Sequence, residues 1–168
     1  MNATIALPVL SADDAIGTDV LGMAHALRTA GHTVTLAAQK SLIAEDVQPL
    51  ESLLAASGDG LLIYHHSYGN NLGVRVVRTW PGRVAVKYHN VTPARFFQSE
   101  HRVDIEAGLR QAHELAKAVP FWVDSEFNGQ GLPQNCEELP PFMPTEELLS
   151  LDPDAGFAAR LDDWTTTL

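Results

Sequence analysis

Residues 84–97 read VAVKYHNVTPARFF. Val84, Ala85 and Val86 are the start of a buried strand, since β-branched residues favour the pleated, half-crowded surface of a sheet. The run ends in Lys87, Tyr88, His89 and Asn90, ahead of a Val-Thr-Pro turn. In an open α/β sheet the carboxyl ends of the strands face a crevice, and that is where polar, ligand-facing residues collect. Residues 59–70, DGLLIYHHSYGN, repeat the arrangement: an apolar run through Tyr64, then two histidines, then a Gly/Asn loop. Strands apolar on both faces are those of a parallel sheet covered on both sides.

The flanking sequence continues the alternation. Residues 4–10 (TIALPVL) read as a first strand that Pro8 weakens or bulges. Residues 11–19 form a polar loop. From Asp19, apolar residues at Val20, Leu21, Met23, Ala24, Ala26 and Leu27 have helical spacing, with Thr18 or Asp19 as cap. Gly31 ends this helix and a second strand (HTVTLAA) follows. Residues 46–57 read as a short helix. Irregular helix follows the third strand as far as Trp80, and RVAVKY is the fourth strand. A helical stretch near Pro93 and a longer helix over 105–118 come next. PFWVDS is the fifth strand, the helix after it is cut off by Gly129 and Gly131, and residues 136–139 form a sixth. Strands alternating with helical crossovers predict an α/β, Rossmann-like three-layer domain with a mostly parallel sheet over residues 1–145. Residues 146–168 are acidic, carry a short helical pattern near 157–161, and read as a hinge and the start of a further domain.

Composition narrows the function. A single cysteine, Cys136, leaves no internal disulfide framework or cysteine-based zinc cluster. A net charge of −10 argues against nucleic acid as partner, because such binding rests on neutralising phosphates with Lys and Arg. Arg75, Arg78, Arg83, Lys87, Arg95 and Arg102 form one local basic stretch, read as a solvated face. The opening segment lacks a basic leader and no run is long enough to span a bilayer. The expected location is therefore the cytoplasm, with peripheral attachment to the inner membrane as the variant.

The rim can be written down from the loops that leave the strands. After the first strand come Gly17 and Thr18. After the third come His65, His66, Ser67, Tyr68, Gly69 and Asn70. His89 and Asn90 follow the fourth, and Asp124, Ser125, Glu126 and Asn128 follow the fifth. Gly17 permits either a tight turn or the approach of an anion to a helix N-terminus. His65 and His66 point to opposite faces of their strand, so a metal would take only one of them, with His89 and Asp124. No metal motif is present. His89 suits either a buried hydrogen-bonding role or contact with a sugar hydroxyl or phosphate oxygen. Glu126 and Asn128 open a helix and are also explained by capping. Trp80, Trp122, Phe96, Phe97 and Phe127 read as packing residues. A small hydrolase built on Ser67 and His89 is the enzymatic alternative, but Ser67 lacks the glycine frame of a nucleophile elbow.

Taken together, DAIGTDVLGMAHALRTAGHTVTLAA, LLIYHHSYGN, PGRVAVKYHNVTPARFF, VDSEFNGQGL and LPPFM resemble the N-terminal domain of GT-B glycosyltransferases. Within these, the similarity is to the retaining class called glycosyltransferase family four, or group-one glycosyltransferases. It covers about residues 3–168, and the paired YHHS-GN and YHN-TP segments are its most specific part. The resemblance implies two Rossmann-like domains with the active site between them. The N-terminal domain holds the acceptor, which is a glycan, lipid or small molecule. A nucleotide-diphosphate sugar is the co-substrate, with no metal and no other cofactor. It implies that Gly17, with Thr18 beside it, approaches the donor diphosphate, and that His89 contacts the transferred sugar. Ser125 and Glu126 would stand at the donor edge of the cleft, and His65, Ser67, Asn70 and Asn90 would line the acceptor side. The paired-glutamate motif of the second domain does not occur in these residues. A C-terminal domain or a partner chain would have to supply it, and the chain alone is expected to have little activity. The competing expectation is a non-catalytic Rossmann-like binding module that self-associates through the exposed interdomain face.

Overall fold

The computed structural model describes residues 1–44, 46–96, 99–133, 136–143 and 150. In chain order it contains β1 (Asn2–Leu10), α1 (Ala15–Thr29), β2 (Thr33–Ser41), β3 (Gln48–Pro49), a 3-10 turn (Leu50–Ala55) and β4 (Leu61–His66). Then come α2 (Asn71–Thr79), β5 (Arg83–Tyr88), a second 3-10 turn (Ala94–Phe96), α3 (Ser99–Leu115), β6 (Phe121–Val123), α4 (Glu126–Gly129) and β7 (Glu137–Glu138). All seven strands are parallel, in the order β3-β2-β1-β4-β5-β6-β7. This is the Rossmann-like α/β domain that the alternation predicts. Connections run outward in opposite directions from β1 and β4, so the switch point lies between those two strands.

Period-two alternation sorts the core into two layers. Ile5, Leu7, Leu36, Ala38 and Ile63 face α1 and meet Val20 and Ala24. Ala6, Ala37, Leu62, Tyr64, Val86 and Tyr88 face the other way, against the first 3-10 turn, α2 and α3. Each fully buried leucine or isoleucine in these layers contributes about 1.5–3 kcal/mol relative to exposure.

Several boundaries differ from the sequence expectation, each for a local reason. α1 begins at Ala15 because Asp14 is its cap, accepting the Gly17 N–H at 2.7 Å; Thr18 and Asp19 lie inside the helix. Its end is as expected, with Gly31 at φ +82, a conformation that costs glycine little. Pro8 makes no bulge, since the β1–β2 register is the same on either side of it (Leu7↔Ala38, Val9↔Lys40). Pairing of β1 with β4 has already ended at Ala6↔Tyr64, so no partner on that side asks for the missing N–H. Pro49 breaks the helix expected over 46–57 into the two-residue edge strand β3 and a 3-10 turn. α2 is a regular helix, capped by Asn70, whose side chain accepts the Gly73 N–H at 2.6 Å. α3 starts at residue 99, six positions earlier than expected, because apolar periodicity appears only at Ile105, where the helix meets the sheet. The helical pattern near 157–161 and the 146–168 boundary fall outside the described residues, apart from Ser150. No helix among the described residues is long and apolar enough to cross a membrane.

Candidate functional site

The carboxyl ends of β1, β4 and β5 open on a crevice of about 700 Å3 at the switch point. Leu7, Pro8 and Val9 form its floor, the first turn of α1 and Asp104 of α3 form walls, and Ser67, His89 and Asn90 stand at its polar edge. A second crevice of about 660 Å3 shares Pro8, Val9, Tyr68 and Asp104 with it and extends to Lys40 and Asn70.

Behind His89 lies a buried network of charged and polar side chains. β4 and β5 pair with His65 opposite Lys87, and both side chains point to the α1 side. There they meet Asp19 from the second turn of α1. Lys87 Nζ is 2.6 Å from Asp19 Oδ2 and 3.7 Å from Asp124 Oδ1. The ammonium sits at ion-pair distance from Asp19 Oδ2 but off the line of a good hydrogen bond. The other Asp19 oxygen, Oδ1, accepts the Phe142 N–H at 2.7 Å. His89 continues the ladder, donating its backbone N–H to the His66 carbonyl at 3.0 Å. Its ring bridges Asp124 Oδ2 through Nδ1 (3.0 Å) and His65 Nδ1 through Nε2 (2.8 Å).

Proton bookkeeping in this chain has two solutions. Either His65 Nδ1–H donates to a neutral His89, or an imidazolium His89 donates from Nε2 to His65. In both, Nδ1–H of His89 donates to Asp124, which fixes the ring plane. Burial first, and then the electrostatic influence of the neighbouring His89 and Lys87, hold the His65 imidazole well below its ordinary range. His65 is therefore neutral, a polar spacer between His89 and Asp19. His66 points the other way, with Nε2 2.9 Å from the Gly108 carbonyl of α3. Burial lowers its pKa too, partly offset by that hydrogen bond. Burial, and then the Asp104 carboxylate, raise the Tyr68 phenol, so it remains a hydrogen-bond donor at the crevice wall.

Among the described residues, Asp19, His65 and His89 could hold a cation, with ligand atoms within 4.8 Å of one another. Lys87 already brings a positive charge to the same Asp19 oxygen, and the two imidazoles are joined directly. The ammonium thus does electrostatically what a metal would do there.

The residues expected from sequence separate into groups. His89, Ser67 and Asn90 share the switch-point crevice, and His65 is buried directly behind it. Asn70 lines the adjoining crevice while capping α2. Gly17 and Thr18 are occupied with starting α1. A Cβ at Gly17 would overlap the Ser11 carbonyl oxygen, its N–H is taken by Asp14, and the Thr18 hydroxyl donates to the Asp14 carbonyl. Ser125 caps α4 without a side-chain hydrogen bond, and Glu126 lines a different crevice of about 450 Å3.

Three expectations are corrected. Lys87 is not part of a solvated basic face but fully buried, unlike the exposed Arg75, Arg78, Arg83, Arg95 and Arg102. Phe96 and Phe127 are not packing residues: they are 68% and 71% exposed. Phe97 lies outside the described residues. His65 and His66, expected in the loop after their strand, are its last two residues, and His65 points with Lys87 into the α1 layer. Asp19 was legible only as a cap, although a carboxylate four residues before Met23 on the apolar stripe of α1 signals a buried partner.

Compared with models of known families, with curated proteins and with solved structures, the chain matches none of them.

Proposed function

We propose that the chain is the acceptor-side half of a GT-B glycosyltransferase of the family-four type. It would help transfer a sugar from a nucleotide-diphosphate donor to a glycan, lipid or small-molecule acceptor. One observation carries the reading: His89, oriented by Asp124 and backed by His65, lines the switch-point crevice together with Ser67 and Asn90. This is the position at which a doubly wound sheet receives ligands, and the resemblance through YHHS-GN and YHN-TP places its sugar contact on the same histidine. Asn90 follows at φ 52, the one non-glycine residue of the described chain with positive φ, which turns the backbone sharply at the crevice edge.

In the resting arrangement both His89 nitrogens are engaged. A sugar hydroxyl that bonds to Nε2 therefore replaces His65 as its partner, while Asp124 keeps the ring in place. The hydrolase alternative would need the same exchange at Nε2, with the Ser67 hydroxyl in place of His65, and Ser67 stands outside the glycine frame of a nucleophile elbow. Donor diphosphate contacts at Gly17 and Thr18 would require the first turn of α1 to release its Asp14 cap. The remaining donor contacts would come from a C-terminal domain or partner chain. Stabilisation of the leaving diphosphate would then rest on helix dipoles and basic groups.

The test is a calorimetric titration with UDP, GDP and their sugar conjugates, repeated with His89→Ala. Saturable heat that the variant loses supports the reading. Equal heat in the variant, or none from any of these nucleotides and nucleotide sugars, counts against it.

A further inference from the structure

On the α3 side of the His89 loop lies a further crevice, of about 510 Å3. Tyr88, Val91, Leu109 and Leu132 give it an apolar floor. Phe96 and Phe127 also line it and are 68% and 71% exposed, although large aromatic side chains normally bury most of their surface. The Arg95 guanidinium lies 4.6 Å from the Phe96 ring centroid, over its face, and His113 lines the same crevice. None of the lining residues is acidic, in a chain whose net charge is −10. Asn90 belongs to this crevice and to the switch-point crevice alike, so the two are adjoining.

We infer that this crevice binds an anionic amphiphile, an aryl or alkyl body carrying a phosphate or carboxylate, as the distal part of the acceptor whose reacting hydroxyl reaches His89. The assignment of that body to an acceptor rests on the glycosyl-transfer reading. Exposed aromatic faces and an apolar floor recognise the body, and Arg95 and His113 recognise the charge. The cation stacked on Phe96 keeps the aromatic edge of the site in place while leaving guanidinium donors free for an anion.

The experiment is calorimetric titration of the whole chain with 2-naphthyl phosphate and, separately, with octyl phosphate below its micellar range. Saturable one-to-one binding is expected. Phe96→Ala and Phe127→Ala should each weaken it about 10-fold, which is the loss of one aromatic contact. Arg95→Gln should weaken it several-fold and flatten its salt dependence. Val103→Ala, which removes an equally exposed apolar side chain elsewhere on α3 (69%), should leave it unchanged. Tighter binding of the naphthyl probe assigns an aryl acceptor, and tighter binding of the octyl probe a lipid chain. No saturable heat from either probe, or a Val103→Ala loss equal to that of Phe127→Ala, overturns the inference. Failure of the transfer reading is seen separately: nucleotide sugars would give no heat while probe binding, and its loss in the Phe variants, persisted.

Discussion

Lys87 Nζ lies 2.6 Å from Asp19 Oδ2, and neither side chain is more than 1% exposed. A strand and a helix are thereby joined by an ion pair buried behind His89. Breaking such a pair leaves a charge buried without a partner, which costs far more than the intact pair contributes. Lys87→Met and Asp19→Asn should each destabilise the fold by about 3–5 kcal/mol. The double variant Asp19→Asn/Lys87→Met should regain much of that loss. Urea denaturation of the four proteins checks this, and additive losses would show that the two groups do not act as a pair.

Stability should fall on mild acidification. Burial holds the His65 and His66 imidazoles below their ordinary value of 6.5 in the folded chain. The unfolded chain therefore takes up protons first as pH drops. The stabilisation is complete above about pH 6.5 and is lost below it, by up to about 1.4 kcal/mol per pH unit for each histidine until the folded group titrates. The urea midpoint should drop between pH 7.5 and pH 5.5. His66→Gln, whose amide can still donate to the Gly108 carbonyl, should flatten that dependence; an unchanged slope would remove His66 from the account.

Two glycines of α1 separate backbone from side-chain constraints. A Cβ at Gly17 would collide with the backbone of Ser11, which can move only with the β1–α1 loop. At Gly22 it would collide with the Phe142 ring, a side chain on a surface segment. Gly17→Ala should cost more than about 2 kcal/mol, in the range of overpacked sites. Gly22→Ala should cost less, while displacing Phe142 from its 2.7 Å contact with Asp19. Thermal melts rank the two, and equal losses would mean that the Phe142 segment is as rigid as the loop.

The parts of the fold legible in sequence were those set by period and punctuation. The apolar runs at Leu61–His66 and Arg83–Tyr88, the helix from Val20 to Leu27 and the stop at Gly31 all lie where the pattern placed them. β3 was hidden because it has two residues and one is Pro49. His89, Ser67 and Asn90 were legible as a group because strand ends in a parallel sheet converge. The Asp19–Lys87 pair was not, because its members lie 68 positions apart (87 minus 19) on different elements. Each alone looks like an ordinary surface charge, and only the packing of α1 on β5 shows that both are buried. Phe96 and Phe127 were misread for the opposite reason: an aromatic residue is assigned to the core by default, and its exposure depends on loops whose course no periodicity reports.

The central claim is that His89 at the switch point meets the ligand, and imidazole nitrogen NMR of histidine-labelled chain tests it most directly. Titration with a nucleotide sugar should move the His89 and His65 signals together, since a ligand on Nε2 breaks the 2.8 Å link between them. His25, His32 and His113 should stay where they are. Signals of His89 and His65 that remain fixed at saturating nucleotide sugar, or that move no more than those of His25 and His32, would contradict the account.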